Sequence, residues 1–425
     1  MDMNKRSFLK NTGKIMLGAY LPQDIILDNL NAKYKDWSDS ELSNDENFWK
    51  EIRKGYRLKS DYINLENGYY CFMPQVTLDH FVNNVLEVNF QGSYYMRNLQ
   101  TENKEKSTAK LAEMLGCDRD EVIITRNTTD SLDTIINGYT WQVGDEAVMA
   151  EQDYGSIVNQ FKLMARKFGI VNKIISVPNH PTGDDEIVNI YESAITSKTK
   201  LLMVCHMVNI TGQILPIRKI CDMAHSKGVS VLVDGAHALA HIDFNIKDLH
   251  CDYYGSSLHK WLSTPLGAGL LYINKPKIKE LTPTIATWDE NSDDIKKLNH
   301  TGTHPVHTDL TIINAIDYYL KLGKKRKEER LRFLQRYWSD KVRNEKGIII
   351  NTPEDLDRSC AIANIGIEGM KPSDMAKILL EKYKIYTVAI DGHGVQGCRI
   401  TPNIYTSLQE LDVFVKALKS MSKQS

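Results

Sequence analysis

Short runs of apolar and β-branched residues recur through the middle of the chain, at Glu146 to Ala150, Lys173 to Val177, Lys200 to Val204, Ser230 to Asp234 and Leu270 to Ile273. Each is too short for a helix and too continuously apolar for a strand with one wet face, so each predicts a buried strand. Longer stretches with helical periodicity separate them. Alternation of this kind builds a mostly parallel sheet with helices on both faces, an α/β fold. The run Tyr253 to Trp261 is read as ending a further short strand. Beyond Asn314 a long charged helix is expected, then strands at Ile362 to Ile367 and Ile385 to Ile390 and a closing helix from Leu408 to Ser420.

This pattern divides the chain into a large domain over 63–313 and a smaller α/β C-terminal domain over 314–425. A polar, helix-leaning segment at 24–62 is expected to pack with the small domain. Residues 1–23 stand apart: Asn4-Lys5-Arg6-Ser7-Phe8-Leu9-Lys10, followed by apolar Ile15 to Leu21, resembles a twin-arginine export signal with Lys5 in place of the first arginine. A working signal implies export to the periplasm. The other reading is a flexible or docking arm on a cytoplasmic protein.

Composition narrows the class. A formal net charge of -1, from 53 Lys and Arg against 54 Asp and Glu, offers no general attraction for nucleic acid or an anionic membrane. No run of roughly 20 apolar residues suggests a membrane span. The basic run Lys324-Lys325-Arg326-Lys327 is balanced by Glu328-Glu329 and is expected to form a solvated helix face. Seven scattered cysteines without a C-x-x-C pair argue against a disulfide framework or structural zinc, and no metal site is expected.

Chemistry concentrates between Leu232 and Leu271. Asp234 stands at the carboxyl end of a predicted parallel strand, where open α/β sheets keep their ligands, and a carboxylate there can hold a pyridinium nitrogen. Lys260 follows a second short strand, flanked by hydroxyl and aromatic residues, and is placed to form a Schiff base. Val122 to Leu132 reads as strand, polar turn and helix start, which presents unpaired backbone amides to an anion.

The order strand-Asp234-Gly235-Ala236-His237, then Ser257-Leu258-His259-Lys260, then Pro265-Leu266-Gly267-Ala268-Gly269 closely resembles the class V aminotransferases of the fold-type I pyridoxal phosphate (PLP) superfamily, which include isopenicillin N epimerase, cysteine desulfurases and C–S lyases. The resemblance implies PLP as cofactor, with Lys260 as the Schiff-base lysine and Asp234 on the pyridine nitrogen. It implies that His237 faces the phenolic oxygen of the cofactor, where desulfurase relatives carry glutamine. Thr128, Thr129, Ser257 and His259 match the phosphate cup, Tyr154 the group stacked over the ring, and Asn209 an asparagine near the phenolic oxygen and substrate. Gly302-Thr303 resembles a segment donated across a homodimer, so that a complete site needs two chains. Gly397 to Tyr405 resembles the family's carboxylate-binding region, which implies that Arg399 grips an α-carboxylate through two parallel hydrogen bonds and that the substrate is an α-amino acid or derived from one.

The reaction is left more open. Epimerisation at Cα, β C–S lysis, transamination and a non-catalytic binding role are all compatible with these residues, the first being favoured. Desulfurase relatives carry a catalytic cysteine on a loop ahead of the carboxylate-binding arginine, whereas Val388 to Cys398 is shorter and Cys398 reads as strand packing. His393, in a Gly-flanked loop, is a candidate second acid or base. Tyr69, Tyr70, Tyr94, Tyr95 and Arg97 are candidate pocket residues.

Overall fold

The computed structural model describes residues 23–423, and the twin-arginine-like stretch lies outside the described residues. In chain order the strands are β1 (Ile63–Asn64), β2 (Val122–Thr125), β3 (Glu146–Ala150), β4 (Val171–Ile175), β5 (Thr199–Cys205), β6 (Ser230–Asp234), β7 (Tyr253–Ser257), β8 (Gly269–Ile273), β9 (Ile348–Ile350), β10 (Ala363–Ile367), β11 (Ile385–Tyr386), β12 (Val388–Gly392) and β13 (Val395–Ile400). Seven of them make the large sheet, in the order β2-β8-β7-β6-β5-β3-β4. β7, β6, β5, β3 and β4 run parallel, while β8 is antiparallel to both β7 and β2.

Every residue of β2, β3, β6, β7 and β8 is buried, which is why these segments read as apolar runs rather than alternating ones. β4 differs. It lies at the sheet edge, partly exposed, and forms two residues earlier than its apolar run suggested because Glu146 of β3 pairs with Val171. On one face of the sheet Val148, Val204 and Val233 face inward, and on the other Leu132, Phe161, Met203 and Leu232 do. The expected mostly parallel α/β architecture is present.

The smaller sheet is antiparallel, in the order β12-β13-β10-β9, and packs against the helices Pro372–Tyr383 and Leu408–Ser422. Trp338 and Phe414 meet edge to face in its core, centroids 5.2 Å apart. The single strand expected at Ile385 to Ile390 is two strands. Ile385 and Tyr386 pair in parallel with Ile63 and Asn64, whereas Val388 onward pairs with β13. A change of partner along one apolar run leaves no periodic trace.

Two further expectations are corrected. The long charged helix is two helices, Val306–Leu322 and Lys324–Ser339, broken at Gly323, whose φ of 97° is one a side chain rarely adopts. The run after Gly323 is not a solvated face: Lys327, Glu328 and Arg330 are all buried. Helical spacing turns them inward with Leu331 and Leu334, and each finds a partner. Lys327 donates to the Trp261 carbonyl, Glu328 accepts from Arg332 and the Asp243 amide, and Arg330 donates to Glu46 and the Ser43 carbonyl.

The segment at 24–62 forms helices at Gln23–Lys33, Asp39–Ser43 and Glu46–Arg53. Leu27, Leu30, Phe48 and Trp49 join the same apolar cluster as Val204 and Val233 beneath the large sheet, while Arg53 reaches Glu410 on the closing helix. It thus touches both parts of the molecule. Among the described residues no helix is long and apolar enough to cross a membrane.

Candidate active site

The parallel strands deliver their carboxyl ends to one edge of the large sheet, and register places Cys205, Asp234 and Gly255 side by side there. A cavity of about 370 Å³ opens above them. It collects Thr128, Thr129, Tyr154, Asn209, Asp234, His237, Ser257, His259, Lys260 and Arg399, ten of the eleven residues singled out from sequence. Thr303 is the exception: it is exposed in the turn ahead of the helix at Val306. Of the candidate pocket residues, Tyr69 lines the cavity, while Tyr94 and Arg97 are exposed and Tyr95 is buried outside it. His393 sits exposed in the turn between β12 and β13, also outside the cavity.

Asp234 is buried at the end of β6 and accepts the Ala236 amide at 2.9 Å. Burial raises its pKa, opposed by that hydrogen bond and by Lys260. A carboxylate in this position gains from a cation placed against it, as a protonated pyridine would be. Lys260 carries the complementary shift. Burial pushes its amine down to about 8, with Asp234 opposing and Arg399 reinforcing, so the uncharged nucleophile is far more populated near neutral pH than in an ordinary lysine. Its Nζ lies 3.1 Å from Nε2 of His237.

The helix Thr128–Gly138 opens directly onto the cavity. Asn127 caps it by accepting the Asp130 amide, and the Thr128 amide and hydroxyl both meet Ser257 Oγ, at 2.9 and 2.7 Å. The positive end of the helix and the hydroxyls of Thr128 and Ser257 therefore converge where a phosphate would sit. His259 adds a sharper sign. Its Nδ1 is buried with no hydrogen-bond partner, and burial depresses its pKa to about 4. A buried, unpaired imidazole nitrogen in the cavity wall is a place kept for a ligand atom. These residues fit pyridoxal phosphate: Asp234 for the ring nitrogen, Lys260 for the aldehyde carbon, and the helix end with Ser257 and His259 for the phosphate.

At the other side of the cavity Arg399 is held by a residue that sequence reasoning missed. Glu66 takes its Nε at 3.3 Å and its Nη2 at 2.5 Å, and the Asn209 carbonyl takes Nη1 at 3.1 Å. Both side chains of the ion pair are largely buried. A guanidinium has five N–H groups, so one remains on each terminal nitrogen, enough for a two-point grip on a carboxylate. Gly68 makes room for this arrangement, since a Cβ there would lie 2.7 Å from the Arg399 guanidinium carbon. The signal was present in the sequence as a Glu beside Asn67-Gly68, but only the fold brings positions 66 and 399 together.

Cys398 is buried within β13 and its thiol, pushed up to about 11 by burial, faces the Pro372 carbonyl rather than the cavity. It is strand packing, as expected.

Residues 74–414 match the family model described as Aminotransferase class-V. Isopenicillin N epimerase of Amycolatopsis lactamdurans is 27% identical over 333 residues, covering 74% of this chain and 84% of that protein. Isopenicillin N epimerase of Streptomyces clavuligerus is 22% identical over 391 residues, covering 88% and 98%. Among solved structures, apo cysteine desulfurase from Thermococcus onnurineus NA1 matches with a TM-score of 0.77 at 22% identity, covering 88% of this chain and 98% of that one. A C-DES mutant with glycine covalently linked to its PLP cofactor matches at 0.76 and 20% identity, covering 86% and 98%. These likenesses show a shared fold.

Two outcomes follow from the geometry. Modification of Lys260 by pyridoxal phosphate in cofactor-free protein, trapped by borohydride and read by peptide mass spectrometry, should rise about tenfold per pH unit and level off above about 8. An ordinary lysine would keep rising past pH 10. Replacement Glu66→Leu should lower the unfolding free energy by about 3 kcal/mol in urea titration, because it strands the Arg399 charge, and Glu66→Gln should cost less.

Proposed function

The chain belongs to the class V aminotransferase family of PLP-dependent enzymes, and from that premise we propose that it acts at the Cα of an amino acid or amino-acid-derived metabolite, in the manner of isopenicillin N epimerase. The observation that carries this reading is the presence of Lys260 and Arg399 in one cavity, the lysine partly uncharged and the arginine clamped by Glu66 with two N–H groups to spare. Pyridoxal phosphate, when bound, supplies an electron sink for the pair released from a bond broken at Cα.

The chain's own residues do the rest. Arg399 fixes the α-carboxylate and so orients the substrate, and Lys260, once free, takes or returns the Cα proton. Asp234, enclosed and shielded from water, favours a protonated ring nitrogen. Inversion needs a proton on the opposite face, and Tyr69 and Tyr154 are phenols of the same cavity. The hairpin of β12 and β13 argues against a desulfurase: where desulfurase relatives carry a catalytic cysteine on a loop, this chain has a paired turn at Gly392 to Val395, and Cys398 is packed inside the strand.

A second copy of the chain completes the site in this reading. The helix Gln75–Gln91 exposes Val82, Leu86 and Phe90 at four-residue spacing, a stripe of large apolar side chains unusual for open solvent. Thr303 and Tyr94 are also exposed, and a partner's Thr303 could then reach the phosphate end of the cavity.

Incubation with L- and D-amino acids in heavy water should place deuterium at Cα with inverted configuration, read by chiral chromatography and mass spectrometry. Pyruvate and ammonia from S-conjugates, without inversion, would replace this reading with a β C–S lyase. Sedimentation equilibrium should give a dimer, and Leu86→Glu with Phe90→Glu should shift it to monomer with loss of turnover.

A further inference from the structure

Behind Lys260 lies a set of buried rings that the chemistry above does not use. Trp261, wholly buried, directs its indole N–H to Nδ1 of His237 at 3.3 Å. Indole is a donor only, so Nδ1 accepts and carries no proton. The ring of Trp261 stacks on His241 with centroids 3.7 Å apart and planes at 29°. His241 is itself fixed in one tautomer: its Nδ1 meets the His237 carbonyl at 2.8 Å and so must donate, while its Nε2 accepts the Ala361 amide at 3.0 Å. Lys327 donates to the Trp261 carbonyl.

We propose that Trp261, backed by His241 and Lys327, is a positioning residue that locks His237 as the neutral Nε2–H tautomer, with its single proton aimed into the cavity at the lysine nitrogen. The inference rests on Lys260 being the reacting amine and is independent of which reaction follows.

The consequence is electrostatic and directional. With Nδ1 engaged, the only N–H of His237 points at Lys260 Nζ, 3.1 Å away. A neutral amine accepts that hydrogen bond, whereas an ammonium presents only donors and meets a donor. The arrangement therefore favours the uncharged lysine. Burial, together with the positive charges of Lys260 and Arg399, holds the His237 pKa well below its usual value, consistent with a ring that stays neutral. The other groups whose charge acts on the lysine are Asp234, which favours its charged form, Arg399, which opposes it, and Cys71 and Cys205. Among the described residues none of these is hydrogen-bonded to Nζ, as Nε2 of His237 is. The same proton is available to an anionic oxygen placed beside Lys260, which gives this imidazole a defined role as donor.

The test is nitrogen NMR of full-length protein labelled with 15N-histidine, with His237 assigned by its disappearance in His237→Gln. A pyridine-type Nδ1 and a pyrrole-type Nε2, unchanged from pH 6 to 9, is the expected result. A protonated Nδ1 or an imidazolium in that range would overturn the proposal directly, with no need for a variant at position 261. Trp261→Phe keeps an aromatic ring against His241 but removes the donor. It should let the Nδ1–H tautomer appear and move the pH midpoint of Lys260 modification upward by about half to one unit. An unchanged tautomer and midpoint in folded Trp261→Phe would show that Trp261 merely fills space. Failure of the heavy-water experiment would leave the tautomer result standing, so the two readings fail separately.

Discussion

The structure turns on the parallel register of β5, β6 and β7. Because these strands are hydrogen-bonded in step, Cys205, Asp234 and Gly255 lie on one line, and the loops that follow the strands emerge on one side of the sheet. Everything reactive hangs from those ends. Asp234 terminates β6, Lys260 lies three residues beyond β7, and Asn209 lies four beyond β5. Shifting one strand by a single residue would reverse which of its side chains face each layer and would take Asp234 out of the cavity. The buried valines and leucines of β5 and β6 hold the register, so the packing of the core and the geometry of the site are one constraint.

Placing charge at the dry edge of a sheet creates a second requirement, that each buried ion find compensation. The site meets it by pairing across distant parts of the chain. Glu66 neutralises Arg399 from the start of the large domain, and Lys260 faces Asp234. Compensation is incomplete by design: Asp234 is pushed up, Lys260 down, and His259 keeps an unpaired Nδ1. Groups left in this state gain most from a ligand that brings a cationic ring nitrogen, an electrophilic carbon and an anion together. The affinity for pyridoxal phosphate is thus written in what the protein alone fails to satisfy.

Much of this was readable from the chain. β3 and β6 run over the residues their apolar patterns marked, because fully buried strands must be apolar throughout. Ten of eleven site residues fell into one cavity because they sit in short local motifs whose spacing is fixed by strand-turn-helix geometry. What escaped notice had no local period. β1 and β11 are two residues each, β9 is three, and the break between β11 and β12 is a change of partner inside one apolar run. The buried Lys327, Glu328 and Arg330 read as a solvated face because charge content is visible in sequence and a partner across the fold is not.

The sequence by itself therefore determined the class of fold, the family's cofactor and the residues that gather in one cavity, since each is encoded by neighbours a few positions apart on strands that must be buried. Only the tertiary structure decided how those residues are held. Glu66 meets Arg399 across 333 positions, the Ala361 amide reaches His241 across 120, and Trp261 reaches back over 24 to choose a nitrogen of His237. Such contacts arise because a folded interior pairs most of its buried polar groups with whatever the packing brings near, and no local pattern of residues records that choice.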